Sequence, residues 1–141
     1  MPPTTAPLKE TYTFDATAGV PPQVGPFAHA TRWGSILFVT GQMPTDPDTG
    51  RLVAGGIREQ ADQVRQNLQA VLRQFNATLD DSLMVRVYLR DFSDFEEFNR
   101  AYATWFAGPL PSRTCVGTTG LAVDAAIEID LIAGITETEE T

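Results

Sequence analysis

Cysteine, histidine and lysine are nearly absent from this chain of 141 residues, which has one of each: Cys115, His29 and Lys9. A single cysteine excludes an internal disulfide framework and a multi-cysteine zinc site. A single histidine argues against a histidine-rich metal centre. The sequence therefore argues against a protein built around a metal centre of cysteine or histidine ligands.

Long apolar runs and excess positive charge are also missing. No stretch reaches the length of uninterrupted apolar sequence that a membrane span requires, and residues 1–7 lack the basic start and apolar core of a signal peptide. We therefore expect a cytoplasmic protein with no membrane partner. The 18 acidic and 10 basic residues give a net charge of -8, which repels phosphate backbones and disfavours a nucleic-acid partner.

The composition is that of a soluble globular protein, with 43% hydrophobic and 20% charged residues. A chain of this length can bury a hydrophobic core without disulfide bonds or metal ions to stabilise it. We expect one domain over residues 1–141, with flexible ends at residues 1–10, which are rich in proline and threonine, and at the acidic residues 134–141.

The first half of the chain carries the patterns of strands followed by a helix. Alternation over residues 10–16 indicates a weak edge strand, and the prolines and glycines of residues 19–26 indicate a loop. Residues 35–40 (SILFVT) form a compact β-branched and aromatic run that predicts a strand. Residues 44–50 are rich in turn-forming residues, and residues 51–53, which follow them, could pair back as a hairpin. An amphipathic helix begins at Ile57 and ends near Asn76.

The second half alternates between the two-residue period of strands and the 3.6-residue period of helices. Residues 83–89 have the two-residue period of a strand. Ser93 or Asp94 can cap a second helix, which carries an aromatic stripe that we interpret as core and which ends at the Gly-Pro of residues 108–109. Two strands close the chain, at residues 113–118 and 125–132. Helices on one face of a sheet indicate an α+β sandwich.

Three polar residues in the last two strands and one glycine are candidates for function. On periodicity alone, Arg113 is a surface strand arginine, and Glu128 lies on the solvent side of an alternating strand together with Asp130. Cys115 is a small buried hydrophobe on the same reasoning. Gly41 directly follows an apolar strand. Pattern alone therefore favours an ordinary structural role for each of them.

Six short motifs change that assessment, because they occur in the order typical of one family. From about residue 25 to residue 133 the chain resembles RidA/YjgF proteins. An older name for this family is L-PSP or translation inhibitor. The motifs are GPFAHA (25–30), FVTGQ (38–42), DPDTG (46–50), DFEEFN (94–99), PSRTCV (111–116) and IEIDLIA (127–133).

The resemblance implies both a fold and a reaction. The implied fold is the two-layer sandwich of bacillus-type chorismate mutase, a mixed sheet with two helices on one face. It assembles as a homotrimer whose sites lie in clefts between subunits. The implied reaction is the hydrolysis of reactive enamines and imines, such as 2-aminoacrylate and 2-iminopropionate, to a 2-keto acid and ammonia. No cofactor takes part.

The resemblance also implies a role for each site residue. Arg113 would hold the substrate carboxylate, because a guanidinium can donate two parallel hydrogen bonds to a carboxylate. Glu128 would orient water, accept its proton and return a proton to the departing nitrogen. The residues expected to line the pocket are Phe27, Thr40, Gly41, Asn99 and Cys115.

One departure from the family pattern leaves the substrate open. Many members have a tyrosine where this chain has Phe27, which has no hydroxyl to offer. His29 is either a compensating polar group or a structural loop histidine. A pathway-specific deaminase of a larger unsaturated amino acid, such as 2-aminomuconate, is therefore an alternative. A non-catalytic ligand-binding or chaperone-like protein is another, and the net charge disfavours a ribonuclease.

Overall fold

The computed structural model describes residues 8–136 and contains a six-stranded sheet with two helices. The strands lie in the order β1-β2-β3-β6-β4-β5, and all neighbouring pairs are antiparallel except β4 and β5. This is the predicted α+β architecture. The elements are β1 (Glu10–Tyr12), β2 (Ala30–Trp33), β3 (Ile36–Gln42), α1 (Ile57–Arg73), β4 (Ser82–Leu89), α2 (Phe95–Tyr102), β5 (Ser112–Gly117) and β6 (Ile127–Gly134).

The two faces of the sheet differ because strand side chains alternate. One face is buried beneath the helices and carries residues such as Val85, Val87 and Ile129. The other face, which we call the open face, has no helix over it within residues 8–136. Phe38 and Trp33 lie there with 44% and 51% of their surface exposed. Successive residues of one strand therefore face opposite sides of the molecule.

The parallel pairing of β4 and β5 follows from the helix between them. Parallel neighbours cannot be joined by a tight turn, so the chain needs a crossover, and α2 is part of that connection. The register pairs Val85 with Arg113 and Val87 with Cys115. Val85 and Val87 face the helices, so their partners Arg113 and Cys115 on the edge strand β5 also face the helices.

The turn that leads into β6 contains backbone strain. Val123 and Asp124 have φ angles of 53° and 60°, a left-handed conformation that is unfavourable for a β-branched side chain. Arg90 holds this turn, since its Nη1 donates to the carbonyl of Asp124 at 2.7 Å and to its Oδ1 at 2.9 Å. The turn is thus fixed just before the strand that carries Glu128.

Several expected boundaries differ from the structure. The strand β2 was not predicted, because Ala30–Trp33 has only four residues and includes Arg32. The second helix ends at Tyr102, so its predicted extension to the Gly-Pro at residue 108 is wrong. Asp94 is its N-cap residue, but its side chain makes no capping hydrogen bond. Residues 51–53 do pair back on residues 44–46, through an antiparallel bridge between Thr45 and Leu52 and two backbone hydrogen bonds, one on either side of it.

The predicted flexible ends are shorter than expected where the structure describes them. Glu10 begins β1 and Gly134 ends β6. Ile135 is buried, and its backbone N–H donates to the carbonyl of Ser35 at 2.8 Å. The remainder of the expectation concerns residues 1–7 and 137–141, which lie outside the described residues. Within residues 8–136, neither helix has the length and apolarity needed to cross a membrane.

Candidate active site

Arg113 lies on β5 with its guanidinium against three aromatic rings of α2. Its Cζ atom is 5.7 Å from the ring centre of Phe95, 5.6 Å from that of Phe98 and 4.8 Å from that of Tyr102. The residue is half-buried, so it is not the surface strand arginine that periodicity suggested. Within residues 8–136 its guanidinium forms no hydrogen bond and no salt bridge. Its five N–H donors are therefore available to an anion.

Two further candidates lie on the elements that hold Arg113. Cys115 is half-buried and packs against the core, and burial raises the pKa of its thiol, an effect that the charge of Arg113 partly offsets. A protonated thiol is a poor nucleophile, so Cys115 is suited to lining a pocket. The Oδ1 atom of Asn99 on α2 is buried and has no hydrogen-bond partner in the described chain. Such an acceptor is costly unless another molecule satisfies it.

Glu128 lies on the open face of β6, beside Gly41 at the irregular end of β3. A β-carbon at position 41 would overlap the Oε2 atom of Glu128 and would lie 2.9 Å from its Cδ. Only glycine therefore allows the carboxylate to lie where it does. Burial raises the pKa of Glu128, and the nearby charge of Asp130 raises it further. A carboxylate of this kind exchanges protons at a higher pH than an ordinary one.

Asp130, the next residue on the open face of β6, has partners of its own. Its Oδ1 accepts from Nε of Arg86 at 2.7 Å, and its Oδ2 accepts from the hydroxyl of Tyr88 at 3.1 Å. Arg86 is thus committed to Asp130. Glu128, by contrast, forms no salt bridge within residues 8–136. The two neighbouring acids have different surroundings, and only Glu128 is left without a basic partner.

His29 is a structural residue, and its alternative role as a polar group for the ligand is not supported. The ring is buried, its Nδ1 accepts from the backbone N–H of Phe14 at 2.9 Å, and its Nε2 donates to the carbonyl of Pro21 at 2.8 Å. Both ring nitrogens are therefore occupied by the backbone of the N-terminal segment. The protein offers no compensation here for the hydroxyl that Phe27 lacks.

Thr40 is held at the end of β3 by the loop that carries Phe27. Its hydroxyl donates to the carbonyl of Ala28 at 2.6 Å, and its backbone N–H donates to the carbonyl of His29 at 3.1 Å. Phe27 is half-buried, and its carbonyl accepts from Nε2 of Gln23 at 3.1 Å. The loop that carries Phe27 is therefore hydrogen-bonded to Thr40, and Thr40 is followed by Gly41, which lies against Glu128.

One chain does not bring all the candidates together. Arg113 faces the helices, whereas Glu128 faces the opposite side of the sheet, and β4 separates their strands. Two strand spacings place the backbones of β5 and β6 about 10 Å apart. The candidates thus form two half-sites. The first contains Arg113, Cys115 and the aromatic residues of α2, and the second contains Glu128, Gly41 and Thr40.

The importance of the aromatic stripe on α2 was not predicted. The sequence indicated that Phe95, Phe98 and Tyr102 form core, and Phe98 and Tyr102 are indeed buried. Their contact with Arg113 was missed because helical spacing does not reveal which strand lies opposite. No cluster of three or more histidine, cysteine, aspartate or glutamate side chains suited to a metal ion occurs in the part of the chain that the structure describes.

Within residues 8–136 the α+β fold thus carries a half-buried arginine with no hydrogen-bond or salt-bridge partner and a carboxylate of raised pKa. The chain belongs to the RidA/YjgF family, since the family model described as endoribonuclease L-PSP matches residues 17–135. A RutC family protein of Pyrococcus abyssi is 39% identical over 117 residues, which cover 83% of this chain and 92% of that protein.

Solved structures share the fold over most of their length. The crystal structure of RidA from the Antarctic bacterium Psychrobacter sp. PAMC 21119 has a TM-score of 0.83 and 29% identity, with 89% of this chain and 99% of that chain covered. The crystal structure of E. coli TdcF with bound serine has a TM-score of 0.82 and 28% identity, covering 90% of this chain and 100% of the other.

Proposed function

We propose that this protein hydrolyses small 2-imino acids and their enamine tautomers, such as 2-iminopropionate and 2-aminoacrylate, to a 2-keto acid and ammonia. The observation that carries the proposal is the free guanidinium of Arg113, which is half-buried and has no acidic partner within residues 8–136. Such a group is suited to a substrate carboxylate. The TdcF structure with bound serine adds support, because serine carries a carboxylate beside an amine.

The reaction requires little more than positioning and proton transfer. Arg113 holds the carboxylate, and the iminium carbon next to it is already electrophilic. Glu128 orients a water molecule and accepts a proton as the water oxygen bonds to that carbon. The same carboxyl then protonates the nitrogen of the carbinolamine. The C–N bond breaks as the Glu128 carboxylate accepts the hydroxyl proton, which it passes to the departing ammonia, so the products are the keto acid and ammonium. The raised pKa of Glu128 favours this exchange in both directions.

The proposed site lies between subunits of a homotrimer. Arg113 and Glu128 face opposite sides of one chain, so a substrate of a few atoms can contact both only where two chains meet. The open face also exposes Trp33, Phe38 and Val116, and an apolar surface of this kind is typical of an interface. We therefore propose that one subunit supplies the half-site of Arg113 and its neighbour supplies that of Glu128.

The direct test supplies the unstable substrate enzymatically. An amino-acid oxidase acting on alanine generates 2-iminopropionate, and semicarbazide traps the fraction that has not been hydrolysed. We expect the protein to reduce the trapped fraction and to release ammonia faster than spontaneous hydrolysis does, and Arg113→Ala to lose this effect. Binding of pyruvate without any acceleration would instead identify a ligand-binding protein without turnover.

A larger unsaturated substrate is the second candidate, because Phe27 cannot donate a hydrogen bond. An aminomuconate-like substrate would place apolar atoms against this ring. Ammonia release from 2-aminomuconate and from 2-iminopropionate should be compared at equal enzyme concentration. Faster release from the former would reverse the order of the two candidates.

The description of the family model names an endoribonuclease, and this chain is poorly suited to RNA. Its net charge is -8, and Arg65, Arg86 and Arg90 are each paired with an aspartate. We expect purified protein to leave RNA intact. Cleavage that disappears in Arg113→Ala would contradict the proposed function.

A further inference from the structure

We infer that Phe95, Phe98 and Tyr102 form an aromatic platform that positions the Arg113 guanidinium and thereby sets how tightly the site holds a carboxylate. The use of this device in catalysis rests on the proposed function. The platform itself is a feature of the chain and can be tested without turnover. Its three members act through Arg113, so they are positioning residues.

The platform has the geometry of a cation–π contact at each ring. All three ring centres lie within 6 Å of the guanidinium carbon, and Tyr102 is nearest, at 4.8 Å. This is the range in which an arginine is attracted to an aromatic face. The spacing of three and four residues along α2 places the rings in one stripe. Arg113 on β5 lies against that stripe.

Further aromatic residues pack against the platform and restrict the movement of its rings. Tyr102 is only 6% exposed, and its ring centre lies 5.5 Å from that of Phe98 and 5.0 Å from that of Phe106. Trp105 packs on the same cluster, 5.2 Å from Tyr102. A rigid surface of this kind holds the guanidinium in a narrow range of positions, which lowers the entropy cost of binding a ligand.

The chemical advantage is that aromatic rings do not use the donors of the guanidinium. An acidic partner would orient Arg113 equally well, but it would accept hydrogen bonds from the N–H groups that a substrate carboxylate needs. Aromatic faces attract the charge while its N–H donors stay free. The Tyr102 hydroxyl has no hydrogen-bond partner in the described chain, so the ring, and not the hydroxyl, makes the contact with Arg113.

The competing explanation is that these aromatic residues serve only as core. Two substitutions at one position separate the explanations. Tyr102→Phe keeps the aromatic face and removes the hydroxyl, whereas Tyr102→Leu keeps an apolar side chain and removes the aromatic face. A role in packing alone predicts lower thermal stability in Tyr102→Leu with unchanged carboxylate affinity. A positioning role predicts weaker carboxylate binding that Tyr102→Phe restores.

The experiment measures three quantities on the full-length parent protein and on both variants. They are KM and kcat for 2-iminopropionate, the affinity for pyruvate by calorimetry, and the chemical shift of the Arg113 Nε–H group by NMR. In Tyr102→Leu we expect KM and the pyruvate dissociation constant to rise about tenfold, with a smaller change in kcat. The Arg113 signal should also lose the ring-current shift that stacking imposes, and Tyr102→Phe should retain it.

Unchanged pyruvate affinity and an unchanged Arg113 signal in Tyr102→Leu would overturn the inference. If Tyr102→Leu does not fold, Phe95→Leu tests the same point, because Phe95 is only half-buried. A parent protein that binds pyruvate but does not accelerate deamination would contradict the proposed function alone. In that case the calorimetric and NMR measurements still decide whether the platform exists.

Discussion

Arg113 and Glu128 lie on opposite faces of the same sheet, with β4 between their strands. Arg113 reaches toward the aromatic rings of α2, and Glu128 lies over Gly41 on the side that has no helices. The proposed chemistry uses both groups on one small substrate. The arrangement therefore makes the quaternary structure part of the catalytic hypothesis, and it can be tested with inactive variants.

Mixing two inactive variants should restore activity if each site combines two chains. Arg113→Ala supplies an intact Glu128 half-site, and Glu128→Gln supplies an intact Arg113 half-site. After unfolding and refolding together in equal amounts, random trimers with cyclic symmetry should recover about a quarter of the parent activity. Deaminase activity of the mixture, compared with each variant refolded alone, is the measurement. A mixture as inactive as its components would place both groups in the same subunit's site.

Gly41→Ala should displace the Glu128 carboxylate, because the added β-carbon would overlap its Oε2 and lie 2.9 Å from its Cδ. We expect kcat/KM to fall by about tenfold or more, since misplacing a proton-transfer group is costly. Gly120→Ala is the matched control, because nothing lies within 4 Å of a β-carbon there. Equal activity in the two alanine variants would show that the contact with Gly41 does not position Glu128.

Glu128→Gln should lower activity while raising stability near neutral pH. Loss of a general base typically costs about 100- to 10,000-fold in rate. Burial and Asp130 raise the pKa of Glu128, so the folded protein binds this proton more tightly than the unfolded chain. The resulting stabilisation is present below the unfolded-state pKa and is lost as pH rises through the folded pKa. Glutamine removes the charge that opposes folding above that range.

Two measurements check this reasoning for Glu128. The midpoint of thermal unfolding of Glu128→Gln should exceed that of the parent at pH 7, and the difference should shrink as the pH falls and Glu128 becomes protonated. The kcat/KM of the parent should fall on the acidic side, with a midpoint above that of an ordinary glutamate. A parent profile that stays flat down to pH 4 would argue against Glu128 as the base.

Arg113→Lys should keep the positive charge and lose the pair of parallel hydrogen bonds that a planar guanidinium donates to a carboxylate. We expect a loss of about 1.5–3 kcal/mol in transition-state binding, the usual scale for a hydrogen bond to a charged group. Steady-state kinetics with 2-iminopropionate give this value from kcat/KM. Arg100→Lys serves as a control, because Arg100 is an exposed arginine on the same part of the fold. An unchanged kcat/KM in Arg113→Lys would remove Arg113 from the site.

Val123→Gly should stabilise the protein, because Val123 has a φ of 53° and is 40% exposed. Relief of left-handed strain outweighs the entropy cost of glycine and the small loss of burial, so we expect a gain of about 1 kcal/mol. Denaturant unfolding measures it. Val24→Gly is the control, since Val24 is similarly exposed but has no positive φ, and it should destabilise slightly. A lower stability of Val123→Gly than of the parent would contradict the strain argument.

Local patterns predicted all the strands and helices except β2, but not what they contact. The compact run of residues 35–40 and the amphipathic run from Ile57 correspond to β3 and α1. Alternation correctly put Glu128 and Asp130 on one face. The contact between Glu128 and Gly41 could not be predicted, because it joins β6 to β3 across a shift in register. Nor could the contact of Arg113 with α2, which depends on how the crossover packs the helix.

His29 illustrates the same limit at a single residue. The sequence alone allows a ligand contact for His29 and favours a structural role in a loop. The structure decides because its partners are the backbone groups of Phe14 and Pro21, and backbone groups are not specified by residue type. A histidine that satisfies buried main-chain atoms leaves no mark in composition or periodicity.

The raised pKa of Cys115 has a consequence for the lifetime of the protein under the proposed function. The proposed substrates include 2-aminoacrylate, whose double bond can capture thiolates. A cysteine beside the carboxylate site would be alkylated by the compound that the site processes if it were ionised at neutral pH. Burial raises the pKa of this thiol and so lowers its thiolate fraction. Under the proposed function, this makes Cys115 less reactive toward the compound held beside it.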